Sequence, residues 1–469
     1  GKPKGVMIPH QGLVNYLSWC SQAYQIAEGN GVPVHSSISF DLTITGLFGP
    51  LMVGQTAIMI PEAKGGEALG QTFTSPNNFS LIKITPAHLE VLSQQLSATF
   101  AQQTNYFIIG GEALWGENLA FWQKHAPDTK LINEYGPTET VVGCCVYEMS
   151  AAEAVAGAVP IGRPIANTQL YLLDSQLQPV PVGVVGELYI GGDSVSRGYF
   201  NRPGLTAEKF IPNPFDRDPT SSGSRLYKTG DNARYLPDGN LEFLGRIDQQ
   251  VKVRGYRIEL GEIESVLSEH PNVQDMAVLA REDRSGDKRL VAYIVSNEAD
   301  HNKLHQQLRE FLQTKLPNYM IPAHFITLPH LPLTHNGKVN RKALPVPNTD
   351  QMVSKEAYAA PRNPTEEILV DIWRDVLDVQ KIGIDDNFFE LGGHSLLATQ
   401  LISRIHKIFK LEIPLPSLFE APTIANLSET LIKYETKPGQ VATIARLRKK
   451  LRGLSKAEMQ AMLKEKRKK

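Results

Sequence analysis

Cysteine is scarce in this chain of 469 residues, at three: Cys20 and the neighbours Cys144 and Cys145. Without CxxC spacing they make neither a disulfide framework nor a zinc site, and they read as reduced, structural thiols. Long apolar runs are missing as well. No stretch reaches the roughly 18 uninterrupted apolar residues of a membrane span, and the opening GKPKGVMIPH lacks the apolar core of a secretion signal. The expectation is a cytoplasmic protein without membrane contact. A large charge of one sign is absent too, since the formal net is −1, but the balance is uneven. Residues 441–469 hold 11 Lys or Arg against 2 Glu, net +9, which leaves −10 on residues 1–440. A body that acidic repels phosphate backbones, so nucleic acid is not an expected partner.

What is present is the usage of a folded, layered protein. Hydrophobic residues at 42% and charged residues at 21% exclude a disordered or coiled-coil chain, and the length calls for two to four domains. Short apolar runs, LFGPLMVG, TAIMIP, YFIIGG, KLINEYG and ELYIGG, alternate with the helix-like PAHLEVLSQQL and GENLAFWQKHA. That alternation predicts strands and helices of an α/β domain. From about residue 225 the turn signals PDGN and RG separate period-2 strands and lead into the helix GEIESVLSEH, opening a smaller α+β unit. Pro- and polar-rich sequence from Pro345 to Pro364 reads as a linker. Residues 365–434 then carry only helix periodicity, in EEILVDIWRDVL, SLLATQLISRIHKIF and IANLSETLIKY, which predicts a small bundle.

Several segments carry groups suited to nucleotide chemistry. Asp231 in YKTGD can accept two hydrogen bonds from a vicinal diol such as ribose, or be an ordinary turn aspartate. In NEYGPTE, Tyr135 offers an aromatic face and Glu139 a hard ligand for Mg2+; the bland reading leaves Glu139 exposed after a turn. Lys338 in NGKVNRK can meet carboxylate and phosphate oxygens, or be one more solvated loop lysine. The opening GKPKGV has Gly and Lys suited to phosphate oxygens but no Walker pattern. Ser395 in DNFFELGGHSLLATQL opens an amphipathic helix, where a phosphate ester would meet free N–H groups. A plain Ser cap would leave the preceding LGGH unexplained.

Taken in order, FDLTITG, NEYGPTE, GELYIGGDSVSRGYFNRP, YKTGD, GRIDQQVKVRGYRIELGEIE, LPLTHNGKVNRKALP and LGGHSL resemble the adenylation domain of a nonribosomal peptide synthetase followed by its peptidyl carrier domain. The resemblance implies an α/β plus α+β multidomain fold. It comprises a partial adenylate-forming large subdomain (1–247), a small mobile α+β subdomain (248–346), a linker (347–363) and an all-α four-helix carrier bundle (364–437). A basic tail (438–469) follows, either helical or disordered. The family's Ser/Thr/Gly-rich phosphate loop precedes GKPKG, so the resemblance further implies a fragment of a longer synthetase.

The implied chemistry has two halves. An amino-acid carboxylate attacks the α-phosphate of ATP, giving aminoacyl-AMP and pyrophosphate; the thiol of a 4′-phosphopantetheine on Ser395 then displaces AMP. By matching positions, Asp231 and Arg246 hold the ribose, Asn133 and Tyr135 the adenine, Glu139 the Mg2+, and Lys338 the carboxylate and α-phosphate. Asp248 is the implied hinge, and Gly255 lies by the pantetheine tunnel. A phosphopantetheinyl transferase and upstream and downstream synthetase or polyketide synthase modules are the implied partners. A free-standing acyl-CoA ligase would share the nucleotide motifs without needing Asp41 or Ser395.

Asp41 matches the family's receiver of the substrate ammonium. The implied side-chain pocket falls on Leu42, Thr45, Lys83, Ile108, Gly110, Glu134, Val142 and Gly143. A carboxamide accepts from an ammonium and donates to a carboxylate, so Lys83 with Glu134 points to asparagine, which the family pattern also resembles. Aspartate is the neighbouring option, disfavoured by Glu134. The alternative is that Lys83 and Glu134 pair with each other or face solvent, leaving selection to size. In the tail, Leu447, Leu451 and Leu454 share a rough helical face, either docking the next synthase protein or merely solubilising.

Overall fold

The computed structural model describes residues 4–452 except 62–68, 71, 74–76, 97–100, 150–156, 217–222, 249, 254–255, 285–286, 334–338, 348–357, 378, 380, 390, 394 and 415. The chain divides into two units, Gly1–Pro322 with Thr327–Arg341 and Ala323–Ile326 with Lys342–Lys469.

In the first unit, α1 (His10–Ala23), β1 (Val32–Val34), α2 (Thr43–Met52) and β2 (Ala57–Met59) precede a five-stranded sheet. Its strands are β3 (Phe79–Ile84), β4 (Thr104–Gly110), β5 (Lys130–Tyr135), β6 (Cys145–Met149) and β7 (Arg163–Pro164), in that order. β3, β4 and β5 run parallel, and β6 and β7 are antiparallel additions. A parallel sheet buried on both faces calls for unbroken apolar strands rather than alternation, and β3 is buried at all six positions. The two faces still separate by parity. Ile82, Ile84, Phe107, Ile109 and Leu131 join one core, while Leu81, Tyr106, Ile108 and Ile132 join Tyr16, Leu17 and Cys20 of α1 in another. Strand period 2 therefore places Lys83, Gly110 and Glu134 on the α1 face.

One sequence expectation is corrected here. LFGPLMVG, read as a strand, lies mostly in α2, which buries Thr43, Thr45, Gly46, Gly49 and Pro50. A short apolar run is ambiguous by periodicity alone, and packing on α1 and β1 decides it.

A second sheet orders β10 (Phe210–Pro212), β11 (Arg225–Tyr235), β9 (Gly186–Gly192) and β8 (Thr168–Leu173), with β12 (Leu241–Arg246) on the far part of β11. Past Asp248 come the hairpin β13 (Gln250–Val253) and β14 (Tyr256–Glu259), α3 (Leu260–Leu267), the antiparallel pair β15 (Asp275–Arg284) and β16 (Asp287–Val295), and α4 (His301–Gln313). This is the α+β pattern expected there.

The second unit holds α5 (Pro364–Leu377), α6 (Ser395–Phe409), α7 (Pro416–Glu420) and α8 (Ile424–Lys433) around Ile368, Trp373, Phe388, Leu401, Ile405 and Leu427. The tail continues this core. α9 (Gln440–Arg452) inserts Val441 and Ala445, 1% and 0% exposed, and packs Ile444 against it. The inward face is thus not the leucine stripe read from sequence: Leu447 is 48% exposed, Leu451 contributes no described side chain, and Leu454 lies outside the described residues.

Candidate active site

The C-terminal ends of β3, β4 and β5 open into a cleft, the usual place for ligands on a parallel sheet. Lys83, Gly110, Glu134 and Tyr135 line it from those strands. Asp41 and Leu42 enter from the loop before α2, Val142 from the turn after β5, and Asp231 and Arg246 from β11 and β12. Nine of the residues expected at the site therefore share one wall.

At one end, Tyr135 donates its hydroxyl to Asp231 Oδ2, and Arg246 Nη1 donates to Asp231 Oδ1 at 2.7 Å. Antiparallel register places Asp231 directly opposite Arg246. Burial pushes the Tyr135 phenol up, and the Asp231 charge adds to it, so Tyr135 remains a donor. The other face of Arg246 grips Asp248 through Nε to Oδ1 and Nη2 to Oδ2, both 2.6 Å.

At the other end lies a buried ion pair. Lys83 Nζ contacts Glu134 Oε2, so the pairing alternative is the arrangement observed. Tyr24 donates to Glu134 Oε1 at 2.6 Å, and Tyr16 reaches Oε1 at 3.1 Å and Oε2 at 3.3 Å. Burial pulls the Lys83 ammonium down, to about 7, while the Cys20 and Asp41 groups oppose the fall. Both residues line the cleft. Gly143 is forced: a Cβ there would lie 2.5 Å from Glu134 Cδ. Val141 and Val142 hold φ of 61° and 63°, a left-handed conformation that branched residues avoid and that structures tolerate mainly at functional sites.

Between these ends, burial pushes the Asp41 carboxyl up, while the Thr138 hydroxyl and Lys252 pull it back. A half-buried carboxylate whose charge is disfavoured is suited to a ligand cation.

Other expected residues stand behind the wall. Glu139 is buried, 1% exposed, and accepts the Tyr199 hydroxyl at 2.6 Å, so it is not the exposed turn residue of the bland reading. Thr45 bonds Tyr16 at 2.6 Å, and Ile108 sits in the α1 core. Asn133 faces away from the cleft and donates to the Pro160 carbonyl at 2.8 Å, because it alternates with Glu134 along β5. Lys4 of the opening segment pairs with Glu259 at 2.8 Å. Lys338 and Gly255 lie outside the described residues, as does the side chain of Ser395.

Sequence reasoning missed Tyr16, Tyr24, Tyr227, Gln250 and Lys252. Gln250 and Lys252 come from β13, and alternation within QVKVRGY would have placed both on one face. Nothing in the pattern of α1 marked its tyrosines.

Residues 1–200 match the AMP-binding enzyme family, residues 262–338 its C-terminal domain, and residues 367–431 the phosphopantetheine attachment site family. Tyrocidine synthase 3 of Brevibacillus parabrevis is 46% identical over 93% of this chain, and bacitracin synthase 3 of Bacillus licheniformis 42% over 92%. This chain belongs to the nonribosomal peptide synthetases, as an adenylation domain joined to a peptidyl carrier domain. It spans 6% and 7% of the length of those two synthases. Among solved structures, the holo form of a synthetase protein with adenylation and carrier domains, bound to a vinylsulfonamide inhibitor, superposes with a TM-score of 0.71 at 26% identity, over 94% of this chain and 72% of that one. An artificially fused adenylation–carrier didomain from Klebsiella oxytoca gives 0.60 at 25% identity, over 92% and 71%.

The carrier segment fits an attached phosphopantetheine. Gly392 has φ +92°, and a Cβ on Gly393 would collide with the Phe388 ring, whose carbonyl accepts Gly393 N–H at 2.8 Å. Leu391 to Gly393 thus make a tight turn shortly before α6, which begins at Ser395, and the start of a helix suits a phosphate. For Mg2+, no cluster of three ligating side chains exists among the described residues. A cation held mainly by phosphates and water needs only one or two carboxylates, and Glu139 is the one the sequence suggests.

Proposed function

We propose that this chain activates an amino acid with ATP and loads it on its own carrier domain. One observation carries the reading: a carboxylate for an ammonium (Asp41), a diol-binding carboxylate (Asp231) and a polar pair (Lys83, Glu134) line one cleft. The substrate carboxylate oxygen bonds to the α-phosphorus of ATP as the bond to pyrophosphate breaks. Asp41 fixes the ammonium and so aims the carboxylate, Tyr135 faces the base, and Asp231 with Arg246 orients the ribose. Glu139 is the residue to hold Mg2+, which when bound would offset phosphate charge. Lys338 neutralises the same oxygens. Phosphopantetheine on Ser395, attached by a transferase, supplies a flexible thiol that carries the acyl group as a thioester. Asp248 is the pivot of the small subdomain between the two half-reactions, and neighbouring synthetase modules deliver and receive the acyl chain.

Asparagine is the proposed substrate. Its carboxamide oxygen can accept from Lys83 while its NH2 donates to Glu134, meeting both buried charges. Aspartate is the second reading, favoured only by Lys83. ATP–pyrophosphate exchange across the amino acids tests the assignment: a preference for leucine or phenylalanine over asparagine refutes the pocket argument. Phosphopantetheine transfer from coenzyme A, read by mass, must be lost in Ser395→Ala. A mass increment surviving that change refutes the carrier role, and with it the distinction from a free-standing ligase.

A further inference from the structure

We infer that Tyr16 and Tyr24 are specificity-positioning residues, which hold Glu134 as a carboxylate and thereby set the preference for a carboxamide over a carboxylate side chain. The inference rests on the asparagine reading above.

Three elements converge on Glu134. Tyr24, just past α1, donates to Oε1 at 2.6 Å; Lys83 of β3 contacts Oε2; Tyr16 of α1 sits 3.1 Å and 3.3 Å from the two oxygens. Tyr16 has one hydroxyl proton, and its oxygen also meets Thr45 Oγ1 of α2 at 2.6 Å. If Thr45 donates to Tyr16, the Tyr16 proton is directed at Glu134, so the chain Thr45, Tyr16, Glu134 runs one way. Every one of these groups around the carboxyl then donates. Donors of this kind favour the ionised form. The other titratable groups facing the pair are Cys20 of α1 and Asp41 before α2. Burial pushes both phenols and the Cys20 thiol up, so they remain protonated beside the carboxylate.

The consequence is discrimination. Aspartate would set a second carboxylate against Glu134, and the site would accept it only if Glu134 took a proton and became a donor. With both phenols in place that proton is opposed. With one removed, Glu134 protonates more readily and aspartate gains entry, increasingly so at lower pH. Lys83, pulled down to about 7, gains charge across the same range and tightens the aspartyl ligand with the tyrosines present or absent. The signature is therefore the excess tightening in the variants over the unchanged chain; a tyrosine that merely packed would alter both ligands alike and add no such excess.

The test is calorimetric binding of asparaginyl- and aspartyl-sulfamoyladenosine to the whole chain, unchanged and as Tyr24→Phe and Tyr16→Phe, from about pH 6 to pH 8.5. Expected is an asparaginyl preference in the unchanged chain that Tyr24→Phe narrows about tenfold, chiefly by tightening the aspartyl ligand. That tightening should grow as pH falls; Tyr16→Phe does the same more weakly, its contacts being longer. An unchanged ratio, or an equal loss of both ligands, in both variants overturns the inference while the asparagine reading stands. No asparaginyl preference in the unchanged chain overturns that reading, and this inference with it. Should Tyr24→Phe fail to unfold cooperatively, Tyr16→Phe alone decides by the same two criteria.

Discussion

Arg246 holds Asp248 through two parallel hydrogen bonds of 2.6 Å while its third nitrogen grips Asp231 at 2.7 Å. The residue expected to orient the ribose is thus fastened to the residue expected to act as the hinge. A planar fork with fixed donors makes both contacts at once, which a lysine point charge does not.

Arg246→Lys should therefore raise the KM for ATP in pyrophosphate exchange by about tenfold or more, the worth of a charge-assisted bond. The amino-acid KM should move little. An unaltered KM for ATP removes Arg246 and Asp231 from nucleotide binding.

The Lys83–Glu134 pair is 5% and 1% exposed at its side chains. Lys83→Met leaves a buried carboxylate with only its phenol donors and should cost about 3–5 kcal/mol of unfolding free energy. Adding Glu134→Gln should restore much of it. Urea unfolding of both variants checks this, and additive losses would show that the two charges do not stabilise each other.

Gly393→Ala drives a Cβ into Phe388. The turn before Ser395 should deform, and phosphopantetheine transfer should fall severely while helicity by circular dichroism changes little. Full mass conversion in this variant would mean that the turn does not present Ser395.

Protonation should weaken the fold on the acid side. Burial pulls His88 and His305 down to about 4, with His35 adding to the fall at His88 and His301 and Arg309 at His305. In the unfolded chain both titrate near 6.5. The unfolded state therefore binds more protons between those values, so stability is full above about pH 6.5 and declines as pH falls toward 4. Thermal unfolding across that window measures the loss, and His88→Gln should flatten it.

Removing residues 438–469 should lower the melting temperature of the carrier unit, since Val441 and Ala445 are buried in its core. Leu447→Ser, at an exposed position, should not. The reverse result would place the leucine stripe, not Val441, against the bundle.

Much of the site was written in local sequence. Asp231 and Tyr135 sit in segments whose turns and strands are specified by neighbours, so their positions could be read before any packing was known. Helices α5, α6 and α8 carry their periodicity openly. LFGPLMVG could not be read this way, because a run apolar on every side fits a strand or a buried helix, and only α1 and β1 chose the helix.

Local sequence settled which groups this chain owns: the carboxylates of Asp41 and Asp231, a serine at the head of a helix, and an acidic body with a basic end. What it could not settle was company. That Lys83 meets Glu134, that Tyr16 and Tyr24 close over the same carboxyl, and that α9 completes the carrier core all depend on residues distant in sequence. Such contacts arise from how layers stack, and no spacing along a single strand or helix encodes them.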